Sequence, residues 1–512
     1  MPSLPNCVIR KALGFLLLLQ SFCTADSVLL IIADDLGRDS LAKFNDDPQA
    51  SFPPTPTLDD LAENGIILNR AYAYSTCSPT RASILTGRYD FRTGVRSPEI
   101  NTLQPNEFTL AEAIVASGKL GERLAHFGKW HLGNTSHAPN EIGGWPHFAG
   151  ALGGGLPNYN RWTKVTNGVS QNRYATYATT DVVNDALAWI DSQGSQNWFA
   201  WLAFNAPHSP YHKPNDDLHD YDSLSGTEED IAANPRPYYE AMVQAMDTEI
   251  GRLLQAVDLT TTTVIFMGDN GTPNGVLQSP FGRRHGKGSL YEGGINVPMI
   301  ICGGAVDEAH VGTTNETIIH SVDLYQTILD LLEIDTEGLL PPELIYDSQS
   351  FYPVLTGTRQ QHTRSMAYSA QPGSDEDSRS ITLTTNDYKW ILEADGDQEF
   401  YLRSDGLSET QNRIQNLDTE SSAALAVFQE SLELLENIPT IYQSKFDSEG
   451  VFTIEVGWFA NASLSLQRTE DLGTDSWQDV EGAIITEHSG STIQLSDRSE
   501  PTTQRFYRVI RN

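Results

Sequence analysis

The sequence predicts an α/β protein with a mostly parallel, mixed sheet sandwiched by helices, then a smaller antiparallel α+β subdomain and a terminal β module. Strand-like and helix-like segments alternate up to about residue 355, as in NWFAWLAFNAPH, YYEAMVQAMDTEIGRLLQAV and TTTVIFMGDNG. This alternation is typical of helices packed around a parallel sheet. The apolar run SVLLIIADD ends in two carboxylates, as a buried parallel strand leading to a site would.

The N-terminus has the layout of a secretory signal peptide over residues 1–25. Arg10 and Lys11 precede a short apolar stretch, and the small residues Thr24 and Ala25 follow it. The apolar stretch is too short for a membrane-spanning helix. We therefore expect cleavage near Ala25, no transmembrane segment afterwards, and export to the periplasm or the extracellular space.

Net charge limits the partners of the chain, and the pattern of its segments divides it into domains. Its 512 residues include 67 Asp and Glu against 33 Lys and Arg, a net charge of −34, which argues against a nucleic acid partner. We predict a catalytic domain over 26–355, the α+β subdomain over 356–438 and the β module over 439–512. Trp458 and Trp477 are candidate sugar contacts of this module, although a packing or sorting role is the commoner one.

Chemistry-capable side chains follow three of the predicted strands. Asp34 and Asp35 come after the first strand, His208 after the second, and Asp269 and Asn270 after the third. Ligands of open α/β sheets bind outside the carboxyl ends of the strands. The two acidic pairs supply only oxygen ligands, which suit a hard cation such as calcium or magnesium. Taken singly, each pair is equally compatible with a helix cap or an Asx turn.

A single cysteine lies in the polar turn STCSPTR, which opens an apolar-periodic segment. Cys77 is followed four residues later by Arg81. The helix N-terminus and the guanidinium would lower the thiol pKa, so the turn predicts a reactive cysteine. Cys302 lies instead in the apolar run VPMIICGG and is predicted to be an inert core thiol.

Two basic segments complete the candidate site. Lys129 and His131 in FGKWHLG project from the same face if that segment is extended, the alternative being a buried tryptophan between solvent-facing groups. RRHGKGSLYEGG is basic and glycine-containing, as an oxyanion cradle beside a cation would be, and a simple structural turn is the alternative.

Together these motifs resemble the signature of the type I sulfatases, within the alkaline phosphatase-like superfamily. The Cys-x-Pro-x-Arg pattern of that family is met by Cys77, Pro79 and Arg81. IIADD, GKWHLG, NAPHSP, MGDNG, KGSLYEGGINVP and SVDLYQTILDLL also lie in family order, over roughly residues 26 to 420. The resemblance implies the superfamily's fold and a sulfuric ester hydrolase.

The resemblance implies that Cys77 is not used as a thiol. In this family a maturation enzyme, a transient partner, oxidises the signature cysteine to Cα-formylglycine. One hydroxyl of the hydrated aldehyde attacks sulfur and displaces the alcohol, and the other then expels sulfate. A serine could perform only the first half.

The family's functional residues carry over position by position. One calcium ion would be held by Asp34, Asp35, Cys77 as modified, Asp269 and Asn270. Arg81 would hold the diol and Lys129 the diol or sulfate, while His131 would accept the second hydroxyl's proton. His208 and Lys287 would bind the sulfate ester and neutralise or protonate the departing alkoxide.

The substrate implied is a sulfated polysaccharide or its oligosaccharides. Arg284 and His285, with Arg283 and His212, are candidate contacts to an anionic sugar. GGWPHFAG departs from the family's Gly-Phe-Asp type segment, so no particular sugar is carried over. The open alternatives are a phosphate-ester or phosphonate hydrolase of the same superfamily and a non-catalytic sulfated-glycan binding protein.

Overall fold

The computed structural model describes residues 27–373 and 378–437 together with the C-terminal strands named below. The predicted signal peptide (1–25), Trp458 and Trp477 lie outside the described residues.

The strands and helices of the described residues are numbered in chain order. The strands are β1 (Ser27–Ala33), β2 (Gly65–Tyr72), β3 (Leu124–Lys129), β4 (His147–Ala151), β5 (Trp162–Thr166), β6 (Val169–Tyr174), β7 (Phe199–Ala203), β8 (Thr262–Gly268), β9 (Asn296–Val297), β10 (Met299–Gly303), β11 (Thr313–His320), β12 (Ala367–Pro372), β13 (Arg379–Thr384), β14 (Tyr388–Leu392), β15 (Gln398–Leu402), β16 (Ile441–Phe446), β17 (Phe452–Gly457), β18 (Leu464–Thr469), β19 (Gln478–Asp479), β20 (Ile484–His488), β21 (Thr492–Asp497) and β22 (Phe506–Arg511). The helices are α1 (Pro56–Glu63), α2 (Cys77–Thr86), α3 (Asp90–Thr93), α4 (Leu110–Ser117), α5 (Pro139–Ile142), α6 (Ala178–Gln193), α7 (Glu228–Ala233), α8 (Pro235–Leu254), α9 (Glu292–Ile295), α10 (Leu324–Leu331), α11 (Tyr352–Leu355) and α12 (Thr419–Asn437).

An 11-stranded mixed sheet forms the body of the protein, in the order β11-β2-β10-β8-β1-β7-β3-β4-β5-β6 with β9 beside β2. Its centre, β8-β1-β7-β3-β4, is parallel throughout. Strand β10 is antiparallel to both of its neighbours, and β5 and β6 pair antiparallel at one edge. The predicted fold class, a mixed sheet with a parallel core, is confirmed.

Helices cover both faces of this sheet because its central strands are apolar on both sides. Alternate residues of β1 enter two separate cores, one taking Val28, Leu30 and Ile32 and the other Leu29, Ile31 and Ala33. Helices α2, α4 and α10 contribute to the first core, and α1, α6 and α8 to the second. Strands buried on both faces are typical of parallel sheets between helix layers.

A four-stranded antiparallel sheet follows, in the order β12-β13-β14-β15, and we call it with α12 the antiparallel subdomain. Helix α12 packs on it through Trp390 and Phe428, whose rings stack at 6.4 Å. Farther along, β16-β17-β21-β20 and β19-β18-β22 form two small antiparallel sheets. The three domain boundaries stay a prediction. Within the described part of the chain, every helix lacks the combination of length and apolar character that crossing a bilayer requires.

Candidate active site

Four neighbouring parallel strands end at the same edge of the large sheet. Ala33 of β1 is in register with Gly268 of β8, and β7 and β3 follow on the other side of β1. The sheet therefore brings together the residues predicted to follow three of these strands, which are Asp34, Asp35, His208, Asp269 and Asn270. Lys129, at the end of β3, joins them.

The two acidic pairs bond directly to one another. The Asp35 backbone N–H donates to Asp269 Oδ1 at 3.0 Å, and Asn270 Nδ2 donates to Asp35 Oδ1 at 2.9 Å. Asp35 adopts a left-handed backbone with φ of 68°, which is uncommon for a residue other than glycine. The hydroxyl of Tyr239 donates to the carbonyl of Asp35 at 3.0 Å and supports this turn. The carboxylates are thus held by the fold before any ligand binds.

Three cations surround these acids. Arg81 donates from Nε and Nη2 to Asp269 Oδ2 at 3.2 and 2.8 Å, and from Nη1 to the carbonyl of Lys129 at 3.0 Å. Lys129 Nζ lies 2.7 Å from Asp34 Oδ2, and both side chains are fully buried. Lys287 Nζ lies 2.5 Å from Asp35 Oδ1. Each of the three acids is thereby paired with one cation.

His208 and Lys287 approach Asp35 from the partly exposed side of the site. His208 Nε2 is 3.8 Å from Asp35 Oδ2, and its Nδ1 lies 2.7 Å from the carbonyl of Ser209. Because a carbonyl only accepts, Nδ1 carries the proton when this imidazole is neutral. Burial alone would lower the pKa of Lys287, but Asp35 raises it above its ordinary value, so the lysine remains a proton donor.

Cys77 is the first residue of α2 and is fully buried among these groups. Thr76 before it is extended, and Pro79 lies in the first helical turn, where its missing N–H costs no bond. The expectation of an acidified thiol is wrong for the unmodified side chain: burial raises the pKa of Cys77, and Lys129 offsets this only in part. A helix N-terminus does not compensate for complete desolvation.

We call the end of the sheet that carries Asp34, Asp35, Asp269 and Asn270 the acidic edge. Its side chains fit a hard cation. Asp34 Oδ1 and Asn270 Oδ1 are buried yet have no hydrogen-bond partner. Ligand atoms of Asp34, Cys77 and Asp269 lie within 4.8 Å of one another, and so do those of Asp34, Asp35 and His208. Burial raises the pKa of Asp34 to about 6 despite Lys129. Oxygen atoms left in this state are suited to binding a cation such as calcium or magnesium.

His131 reaches the site by a different route from the expected one. Strand β3 ends at Lys129, and His131 takes a left-handed backbone with φ of 58°, so strand alternation does not set its direction. Its backbone N–H donates to the carbonyl of Leu152 at 3.1 Å. Burial, with Lys129 and Arg81 nearby, lowers the pKa of His131 to about 2. The imidazole of the unmodified chain is therefore neutral.

A glycine run forms a wall between the two histidines and was missed by sequence reasoning. A Cβ added at Gly154 would lie 2.2 Å from His131 Nε2, and one at Gly155 would lie 3.3 Å from His208 Cε1. Only glycine lets the backbone approach His131 this closely. The three consecutive glycines at 153–155 were the available signal, because such a run often marks close backbone approach.

The remaining sequence candidates make contacts of other kinds. Arg283 and Arg284 are exposed, whereas the ring of His285 stacks on Tyr291 at 3.7 Å. His212 lies against Tyr159 at 4.4 Å. Sugar contacts by Arg283, Arg284, His285 and His212 stay predictions.

Other sequence features also take definite places. In GGWPHFAG, Trp145 is buried against Phe199 and His147 begins β4, so this stretch contributes to the hydrophobic core and to the large sheet. Cys302 is buried in β10, as expected.

A family model described as Sulfatase matches residues 26–334. The chain belongs to the sulfatase family. This sulfatase is 27% identical to arylsulfatase J of Mus musculus over 355 residues, covering 64% of the chain and 55% of the mouse protein. It is also 27% identical to N-acetylgalactosamine-6-sulfatase of Canis lupus familiaris over 373 residues, covering 65% of the chain and 66% of the dog protein.

The fold is shared with solved structures. The crystal structure of Ps i-CgsB in complex with k-i-k-neocarrahexaose superposes with a TM-score of 0.66 at 23% identity, covering 80% of this sulfatase and 93% of that chain. At this identity the likeness shows the fold alone.

Proposed function

We propose that this chain hydrolyses sulfate esters and releases inorganic sulfate, at the edge where β8, β1, β7 and β3 end. The observation that carries the proposal is the buried set of paired acids and cations around Cys77, in which two ligand oxygens have no partner. Family membership supports the reaction class.

We assign the metal to Asp34, Asp35, Asp269, Asn270 and the oxidised side chain at position 77, with calcium as the ion. A bound cation would supply positive charge to polarise the sulfate ester oxygens. Formylglycine at position 77, when hydrated, would supply a hydroxyl nucleophile for sulfur and a second hydroxyl whose deprotonation releases the sulfate.

The chain's own residues orient and neutralise the reacting groups. Arg81 ties Asp269 to the carbonyl of Lys129 and so fixes the end of β3 against the end of β8. Lys129 Nζ, buried beside Asp34, is placed to hold a sulfate oxygen. Donors aimed at developing charge in a water-poor site are commonly the largest catalytic contribution, on the order of 3 kcal/mol each in other enzymes.

Proton movement falls to the histidines and Lys287. We assign to His131 the acceptance of a proton at the base of the site, where its buried Nδ1 has no hydrogen-bond partner. His208 and Lys287, both near Asp35 and partly exposed, face the side from which an alcohol would leave. We assign these two residues to binding the ester and protonating the departing oxygen.

We propose a sulfated carbohydrate as the substrate class, acted on after export. The dog relative is named for a sulfated amino sugar, N-acetylgalactosamine 6-sulfate, which supports carbohydrate in general and no particular sugar. The leader-like N-terminus supports export, and a formylglycine-generating maturation enzyme is the transient partner that this function requires.

The test is release of inorganic sulfate from a panel of sulfated oligosaccharides, measured by ion chromatography after co-expression with a maturation enzyme. The matched control is Cys77→Ala. We expect release by the wild type only, with the mass of the Cys77 peptide reporting conversion. Faster hydrolysis of phosphate esters, read as released phosphate, or of phosphonate esters, read as released alcohol, would favour the superfamily alternative, and turnover unaffected by Cys77→Ala would contradict the proposal.

A chelation series tests the metal assignment separately. Removing divalent cations should abolish sulfate release, and calcium should restore it better than magnesium because a carboxylate-rich site of flexible geometry suits the larger ion. Full activity after chelation, with metal content below one ion per chain, would contradict the assignment.

A further inference from the structure

A buried group of ions joins the segment carrying Lys287 to the antiparallel subdomain. We define the Lys287 loop as residues 283–291 and the ion cluster as Glu292, Lys389, Arg403 and Glu409. Glu292 begins α9 directly after the loop, Lys389 lies in β14, and the other two residues follow β15. The cluster therefore spans two parts of the chain about 100 residues apart.

The ion cluster is tightly paired. Glu292 Oε1 lies 2.6 Å from Arg403 Nη1 and 3.3 Å from Lys389 Nζ, and Lys389 Nζ lies 2.8 Å from Glu409 Oε1. The other Glu409 oxygen accepts the backbone N–H of Glu292 at 2.6 Å. Burial alone would raise the pKa of Glu292, but Arg403 and Lys389 hold it below its usual range.

A second connection runs through side chains of the loop itself. The hydroxyl of Tyr291 donates to both carboxylate oxygens of Glu399, in β15, at 2.9 and 3.0 Å. The ring of His285 stacks on Tyr291 at 3.7 Å with an interplanar angle of 7°. The subdomain thus contacts the loop at Tyr291 and, through the ring of Tyr291, supports His285 on the other side of Lys287.

Two glycines transmit the position of Glu292 to the loop. A Cβ at Gly293 would lie 2.6 Å from the carbonyl oxygen of His285, and one at Gly294 would lie 2.2 Å from that of Ser289. The backbone after Glu292 therefore packs directly beneath the loop, so a displacement of Glu292 displaces the loop as well.

We propose that the antiparallel subdomain sets the position of Lys287 through the ion cluster, which makes Lys389, Arg403 and Glu409 positioning residues for the reaction. This inference rests on the proposed function for its effect on turnover. The competing explanation is that two backbone bonds suffice, from Lys287 N–H to the Thr272 carbonyl at 2.9 Å and from Gly288 N–H to the Ser75 carbonyl at 2.8 Å.

Hydrogen exchange tests the physical connection without any turnover. The variant Lys389→Met/Glu409→Gln removes one cation and one carboxylate and leaves the contact between Glu292 and Arg403. We expect amides of residues 283–295 to exchange about tenfold faster while peptides of β1 and β8 keep their protection. Unchanged exchange in this segment, or an equal rise throughout the protein, would overturn the proposal.

The matched control is Lys164→Met/Asp181→Asn, a pair of similar burial joining β5 to α6. It should leave exchange of residues 283–295 unchanged. If the ion-cluster variant does not fold, Tyr291→Phe removes only the bond to Glu399 and should give a smaller rise confined to the same peptides. Its failure to do so would count against the proposal.

A double-mutant cycle tests the effect on the reaction. The ion-cluster variant should lower kcat by about 10²-fold with little change in KM, the scale at which a misplaced group acts. In a Lys287→Ala background the same variant should cost less than about twofold, since the group it positions is gone. Equal losses in both backgrounds would overturn the proposal. A wild type without sulfatase turnover would defeat the proposed function instead, and the exchange result would still decide this inference.

Discussion

The acidic edge around Asp34 and the ion cluster around Glu292 are both buried groups of charges, but they differ in whether every side-chain oxygen of their acids and amides has a cation or an N–H nearby. Each carboxylate oxygen of Glu292 and Glu409 has a cation or an N–H within 3.3 Å. At the acidic edge, Asp34 Oδ1 and Asn270 Oδ1 have no partner. Carboxylate oxygens that already face a cation or an N–H need no further ligand, whereas unpartnered ligand oxygens mark a place prepared for a cation.

The largest expected effect is on turnover, at the acidic edge. Asp34→Asn should lower kcat for sulfate release by roughly 10³-fold or more, because it removes a carboxylate from the candidate metal site and a metal's charge is worth several kcal/mol. The free energy of unfolding of the chelated protein should change by less than about 1 kcal/mol, because loss of the pair with buried Lys129 is offset by relief of the burial and of the repulsion from Asp269 and Asp35 that raise the pKa of Asp34. Sulfate release and chemical denaturation measure the two quantities.

The control for Asp34→Asn is Asp216→Asn, which neutralises a side chain that is 77% exposed. It should leave both quantities unchanged. If Asp34→Asn kept a tenth of wild-type activity, the carboxylate would not be needed to hold a metal. The acidic edge would then not differ from the ion cluster in being prepared for a ligand.

The sequence predicted the acidic edge better than the ion cluster for a physical reason. Each half of the edge directly follows an apolar strand, and parallel strands end together, so the sequence alone is enough to place Asp34 and Asp269 side by side. Glu292 and Lys389 are 97 positions apart, and neither lies in a pattern that distinguishes a buried ion from a solvated one. Pairing across two subdomains has no local signal.

The local geometry of the site was predicted less well than its membership. The sequence placed His131 in a candidate site segment with Lys129. Its left-handed backbone and its contact with Gly154 were not predicted, because they depend on a loop about 20 residues away. The antiparallel course of β10 was also not predicted, because an apolar run is the same in either direction. The prediction of a lowered pKa for the Cys77 thiol was wrong because burial, a property of the whole fold, raises this pKa by more than the neighbouring cations lower it.

The second effect is on stability, at the ion cluster. Glu292→Gln should cost about 3–5 kcal/mol of unfolding free energy, because it removes the carboxylate paired with buried Arg403 and leaves Glu409 alone to offset Lys389. Denaturant titration of the chelated protein measures it. Glu316→Gln is the control: its carboxylate is 53% exposed and paired with Arg70, so a change within about 0.5 kcal/mol is expected. Equal costs for the two variants would show that the ion cluster is not a stabilising group.

The third effect is again on turnover, at the glycine run 153–155 that lies against His131 and His208. Gly154→Ala should lower kcat/KM by about 10²-fold, because the new methyl group displaces the His131 ring from the site. Gly153→Ala is the matched control, since a Cβ there would meet only the carbonyl of Gly155, at 3.9 Å. Steady-state kinetics on one sulfate ester compares them. Similar kinetics for both variants would mean that His131 does not need its observed position.

The smallest effect separates stability from activity outside both regions. Thr109 caps α4, where its hydroxyl accepts the N–H of Glu112 at 3.1 Å while the Glu112 carboxylate accepts the N–H of Thr109 at 2.8 Å. Thr109→Ala should cost about 1 kcal/mol of unfolding free energy with kcat unchanged, and Thr109→Ser should restore the loss. If kcat falls with this cap, then any loss of stability slows the reaction, and slow turnover in an ion-cluster variant no longer points to Lys287. If kcat holds, the kinetic losses expected at the acidic edge and the ion cluster belong to those groups of charges.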